Sequence, residues 1–390
     1  MSILTRTAAL GVLVLSLAGP LTGAHADSAH GDVIGHVYVD DNTTGVNTVA
    51  GFNQHADGTL TPLPGSPFAV GGAGTGSGIG SQDSLRLSDD GRYLLAADAG
   101  SSQISVLRIR RDGGLAPVED SPVASGGVEP VSIAVHGPLV YVANTGTGGA
   151  NYTGFVLNLG GHLSPLPGST VPVPDGSGLG DVLFNGDGTR LIGIRVTTSL
   201  IDSFTVEDGR LTAASGSPFT AQAAGPFGSE FRPTDSSQLF VSNAHAGAGN
   251  GSVSAFTDSA LGALSSIGSS PYPDNQTAPC WVTISSDGQY LFTSNTASGS
   301  ISRYVIAGDG TLSLLGSTPL NGAATAHPTE LRLDPSGRYL YDVEAGANAV
   351  SMLSVDGGTL TELAQSPVAL PAGAAPFGLA VTGQSDARDE

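Results

Sequence analysis

The chain contains no lysine. All 14 of its basic residues are arginine, set against 34 aspartates and glutamates for a net charge of −20. A phosphate backbone is bound by clustered positive charge, so nucleic acid is excluded as a partner, and an anionic membrane surface on the same ground. Cys280 is the only cysteine, so no intrachain disulfide can form. Only 12% of residues are charged, and no stretch beyond the N-terminus carries a helical period. Motifs that depend on a helix are missing too. There is no G-x-S-x-G elbow, and the glycines from Gly71 to Gly80 neither keep the G-x-G-x-x-G spacing nor open a helix, so a phosphate loop is not expected. No H-E-x-x-H or paired-cysteine metal motif occurs.

What the chain does have is 57 glycines, 24 prolines and 39% hydrophobic residues, enough apolar mass for a core cut into short pieces by turns. The stretch Thr277 to Pro319 shows the pattern: four apolar runs of 4 to 6 residues, separated by Asp287-Gly288, Ser298-Gly299 and Asp309-Gly310. Runs this short, with Gly supplying positive φ between them, describe one four-stranded antiparallel sheet. A leucine two residues after a glycine marks the repeat, at Leu60, Leu115, Leu163, Leu211, Leu264, Leu312 and Leu360, spaced by 55, 48, 48, 53, 48 and 48. Seven marks at this spacing predict an all-β, seven-bladed β-propeller. A second series follows, Ser66-Pro67, Ser121-Pro122, Ser217-Pro218 and Ser366-Pro367, with looser versions at Ser169 and Pro271. Proline removes a ladder donor, so this series is expected on the outermost strand.

The N-terminus reads as a targeting segment: Arg6, an apolar run from Ala8 to Ala18, then Ala24-His25-Ala26 as a cleavage site. The expected organisation is a signal peptide over 1–26, one propeller domain over 27–382 and a flexible tail over 383–390, with the mature protein secreted. The first blade begins at Ile34 to Val39 without a first strand of its own. Phe377 to Val381 supplies that strand from the other end of the chain, which closes the ring and removes an open sheet edge.

Aligned, the seven first strands put Leu85, Ile133, Val182, Phe231, Val282, Leu331 and Leu379 in one apolar column. Their neighbours are then expected to face the central channel: one ring of Ser84, Ser132, Asp181, Glu230, Trp281, Glu330 and Gly378, and another that includes Arg86, Arg232 and Arg332. Three readings stay open. The charges neutralise one another and hold the blades together. Alternatively, Arg86, Arg232 and Arg332 grip a small carboxylate or lactone while Glu230 or Glu330 moves a proton. Or Asp181, Glu230 and Glu330 hold a Ca²⁺ ion; no other cofactor is expected. His327, just before a first strand, is a further catalytic candidate at the channel mouth. Trp281 is either a stacking platform for a ligand or an aromatic plug.

The segments Asp90-Gly91-Arg92-Tyr93-Leu94, Ser336-Gly337-Arg338-Tyr339-Leu340 and Asn295 to Tyr304 resemble the lactonase-type seven-bladed propeller family, which includes 6-phosphogluconolactonases and fungal 3-carboxymuconate lactonising cyclases. The resemblance covers essentially the whole mature chain. It implies a lactonase or lactonising cyclase with a His, Glu and Arg group at the channel mouth, and Glu230, Arg232, Glu330, Arg332 and His327 are the matching residue types. The alternative is a non-catalytic extracellular propeller that binds a protein or glycan.

Overall fold

The computed structural model describes residues 31–383. The expected leader over 1–26 lies outside the described residues, as does the expected tail, except for Gly383. That residue belongs to the closing strand, Leu379–Gly383.

Seven antiparallel sheets form the ring, and in six of them the inner strand comes first in chain order. The inner strands of blades two to seven are Leu85–Leu87, Pro130–His136, Leu179–Phe184, Pro226–Arg232, Pro279–Ile284 and Pro328–Leu333. In blade one the inner strand is the C-terminal Leu379–Gly383, which pairs with Val33–Asp40 from Val39↔Leu379 to Gly35↔Gly383. The closing strand therefore starts two residues later than the sequence suggests, and its role is the expected one.

The repeat glycines mark the seams between blades. Gly58, Gly113, Gly209, Gly262 and Gly358 all have positive φ, in the tight turn before each outer strand. Their carbonyls accept bonds from the preceding blade: Tyr341 Oη to Gly58 at 3.0 Å, Tyr38 Oη to Gly113 at 2.7 Å, Tyr141 Oη to Gly209 at 2.9 Å, Ser203 Oγ to Gly262 at 2.7 Å and Arg303 Nη1 to Gly358 at 3.1 Å. The two other seams use neighbouring carbonyls, Tyr93 Oη to Leu159 and Gln238 Nε2 to Gly308. A turn signal in the sequence is thus also the docking point that orders the blades.

The Ser-Pro series sits where six outer edges break. After a three- or four-residue outer strand, the serine Oγ accepts an N–H of the third strand, as Ser66 does from Gly51, Ser121 from Val106 and Ser366 from Met352. A two-residue strand then returns to the same edge. Blade six lacks the motif, and its outer strand runs on from Leu312 to Pro319. The glycine-rich stretch between blades one and two does not stay on the surface. Ser81, Gln82, Asp83 and Ser84 at its end are buried in the channel.

Candidate functional site

Both faces of a blade pack against neighbouring blades, and only the edge of the inner strand looks onto the axis. The seven column residues are buried, as expected. The adjacent polar ring, however, does not project into an open channel. It turns sideways and satisfies N–H groups on the next inner strand, which has no strand partner on its axial side. Ser132 Oγ accepts from Val182 N at 3.0 Å, Asp181 Oδ2 from Ser229 N at 2.9 Å and Glu230 Oε2 from Ile284 N at 3.0 Å. Glu330 takes the backbone N–H of Leu379 in the same way. The three carboxylates serve three different strands. Among the described residues no group of three or more His, Cys, Asp or Glu side chains is placed to hold a metal ion.

One end of the channel is closed. Trp281 is 2% exposed and packs at 5.1 Å from Phe227 and 5.9 Å from Phe377, ring centre to ring centre. Ile79 of the glycine-rich loop packs on the same cluster. Of the two roles open to Trp281, its burial between Phe227 and Phe377 fits that of plug. The loop then crosses the axis. Gln82 donates its backbone N–H to Gly180 O at 2.8 Å and its Nε2 to Ser229 O at 2.9 Å, while its Oε1 accepts from Val282 N at 3.1 Å. One side chain and its backbone therefore tie blades four, five and six.

Below this crossbar, at the C-terminal ends of the inner strands, lies a cavity of about 170 Å³. Gln82, Asp83, Arg86, Ser229, Glu230 and Arg332 line its polar side, and Leu183, Phe184 and Phe231 its apolar side. Asp83 is 3% exposed and sits at φ 65°, a left-handed conformation uncommon for a residue with a side chain. Arg86 Nη1 lies 3.2 Å from both of its carboxylate oxygens, and Arg332 Nη2 pairs with its Oδ1. Arg332 also lies 3.2 Å from Glu330, and burial pushes its guanidinium down to about 10, so it stays charged at neutral pH. Arg86, with a third of its side chain exposed, is the more open cation.

Burial, opposed by the nearby Arg86 charge, pushes the Glu230 carboxyl up to about 8. Asp181 is likewise pushed up to about 7 by burial, against the bonds from Ser229. At neutral pH the wall of the cavity therefore carries a protonated carboxylic acid beside two guanidiniums and the Asp83 carboxyl group.

The residues expected to act together are not all together. Glu230, Arg86 and Arg332 line the cavity. Glu330 is fully buried and does not. Arg232 contributes to the wall, but its guanidinium is turned into blade six: Nε donates to Gly288 O at 2.9 Å, Nη1 to Ala307 O at 2.8 Å and to Gln238 Oε1 at 3.0 Å. A register shift between Phe231 and Arg232 breaks the strict alternation that would have aimed it beside Glu230. His327 is exposed and caps a four-residue helix at the start of the blade seven inner strand. It precedes Arg332 by five residues, roughly 16 Å of strand, so it stands at the opposite end from the cavity. Asp83 and Gln82 escaped the sequence reading because they belong to a loop. The one signal that could have found them is their position, just before the first-strand residue Leu85, with Asp83 the first charged residue after the 25 residues from Gly58 to Gln82.

Residues 195–382 match the family described as "Lactonase, 7-bladed beta-propeller". Solved structures with the same architecture include a candidate 6-phosphogluconolactonase from Bacteroides uniformis, at 19% identity and a TM-score of 0.72 over 90% of this chain and 100% of that one. A second, from Bacteroides fragilis, has 21% identity and a TM-score of 0.70, covering 90% and 98%. The periplasmic gluconolactonase of Pseudomonas aeruginosa has 17% identity and a TM-score of 0.69, covering 89% and 99%. At these identities the likeness is one of fold. A comparison with curated proteins finds no match.

Proposed function

We propose that this seven-bladed β-propeller, whose residues 195–382 match the lactonase family, hydrolyses, or in reverse closes, a small lactone in the cavity beneath the Gln82 crossbar. The observation that carries this reading is the pairing, in one cavity, of a protonated Glu230 with the accessible guanidinium of Arg86. A lactone opens when water adds to its carbonyl and the ring oxygen leaves with a proton. Glu230 is the proton donor, and Arg86 binds the carboxylate that appears. A volume of about 170 Å³ is that of about five or six waters, which suits a five- or six-membered ring with small substituents. We place the reaction outside the cytoplasm, on the strength of the leader-like residues 1–26; the N-terminal sequence of the mature protein tests this, with Asp27 expected as the first residue.

The activity is tested on a panel of γ- and δ-lactones with the parent, Glu230→Gln and Arg86→Ala. Glu230→Gln is expected to lower kcat about 10²- to 10⁴-fold, and Arg86→Ala to raise KM for lactones that bear a carboxylate. Turnover that survives both substitutions removes this site. Absence of turnover on every lactone favours a non-catalytic protein- or glycan-binding propeller.

A further inference from the structure

We propose that Asp83 is the general base of this site, taking the proton from the attacking water while Glu230 protonates the leaving ring oxygen. The inference rests on the lactonase reading of the cavity.

Three features of Asp83 carry it. It lines the same cavity as Glu230, although it enters from the plug loop and not from a blade. Its backbone is held at φ 65°, with its carbonyl accepting from Ile133 N at 2.8 Å, so the blade three inner strand fixes the turn that presents its carboxyl group. Its carboxyl group is set between two cations. Oδ1 receives both Arg86 and Arg332, whereas Oδ2 receives Arg86 alone and keeps acceptor capacity towards the cavity.

Two carboxyl groups in one cavity thus stand in opposite surroundings. Glu230 is held in its acid form by burial, while Asp83 is ion-paired on both sides. Divergent environments of this kind divide acid from base. In the hydrolytic direction the water oxygen bonds to the carbonyl carbon and its proton passes to Asp83. The carbon–oxygen ring bond then breaks, and the ring oxygen takes the proton of Glu230. The product is a hydroxy acid. Asp83 gives its proton to solvent and Glu230 regains one from it; the product ionises to the hydroxy carboxylate that Arg86 binds, so one water is consumed and one proton is released.

The test compares pH profiles of kcat for the parent, Asp83→Asn and Asp83→Glu, with melting curves to confirm folding and with hydroxylamine, a nucleophile that needs no base, as a second acceptor. The parent is expected to show a rising acid limb and a falling alkaline limb. Asp83→Asn should lose at least about 10²-fold in kcat with water, lose the acid limb, keep the alkaline limb, and recover turnover with hydroxylamine. Asp83→Glu should retain the acid limb at reduced rate, which guards against a mere folding defect. An Asp83→Asn protein that changes only KM, or that keeps the acid limb, overturns the assignment and leaves the lactonase reading intact. A parent without lactone turnover removes that reading and this inference together.

Discussion

The two ends of the channel are built on the same seven strands and finish in opposite ways. Where the inner strands begin, Phe227, Trp281 and Phe377 meet around the axis and exclude water. Where they end, Asp83, Arg86, Glu230 and Arg332 surround a cavity. The repeat cannot explain the difference, because it supplies an equivalent position from every blade. One loop explains it. Residues 70–84 leave blade one, lay Ile79 on the aromatic plug, span the axis with Gln82 and deliver Asp83 to the cavity. A symmetric ring thus gains an asymmetric site from the longest of its inter-blade intervals, the 55 residues from Leu60 to Leu115.

The largest effect is expected at the closed end. Trp281→Ala removes the biggest fully buried side chain, and such truncations cost about 3–5 kcal/mol. Urea denaturation should register this loss. Trp281→Phe should cost far less, since the indole Nε1 has no hydrogen-bond partner to lose. If Trp281→Ala were as stable as the parent, the plug would not be a packed core, and the contrast between the ends would fail.

The fold could be read from the sequence because its signals are local. Glycines two residues before leucines, and Ser-Pro pairs, are turn and edge chemistry, and each reports its own few residues without tertiary help. The ring closure followed from the lone strand at Phe377 to Val381, which had nowhere else to pair. The site was half legible. Glu230, Arg86 and Arg332 fell out of strand alignment, but alternation misdirected Arg232, whose bulge precedes Pro233 and leaves no trace in the hydrophobic pattern. Ser132, Asp181 and Glu330, expected to face the channel, are instead fully buried, for a geometric reason: ring residues beside an apolar column face the neighbouring blade. Asp83 and Gln82 were invisible to a periodic argument because they belong to no strand.

Gln82 links the two ends, so its removal sharpens the comparison at a smaller cost. Gln82→Ala leaves Val282 N–H and Ser229 C=O without these partners. A stability loss of about 1–3 kcal/mol is expected, kept low because water can enter from the cavity side. The same change should raise KM for a lactone, since the loop that positions Asp83 loses its anchor. A Gln82→Ala enzyme with unchanged KM would show that Asp83 is fixed by its ion pairs alone.

The smallest effect is one of pH. Burial pushes Asp181 to about 7 and the half-buried Glu230 to about 8 in the folded chain, against about 3.8 and 4.5 when free. Between those values the native state holds protons that the unfolded chain has released, so stability falls as pH rises, and the contribution present near pH 4 is gone above about 8. A chain of net charge −20 also repels itself more as pH rises, so the parent's melting temperature alone does not isolate these groups. The difference between parent and variant does. Melting curves of the parent, Asp181→Asn and Glu230→Gln between pH 5 and about 9 should show the parent losing several degrees more than either variant, because the general repulsion is common to all three. Parallel slopes would mean that water in the cavity solvates these carboxyls as well as bulk solvent does, and the acid form on which Glu230's role as proton donor depends would not exist.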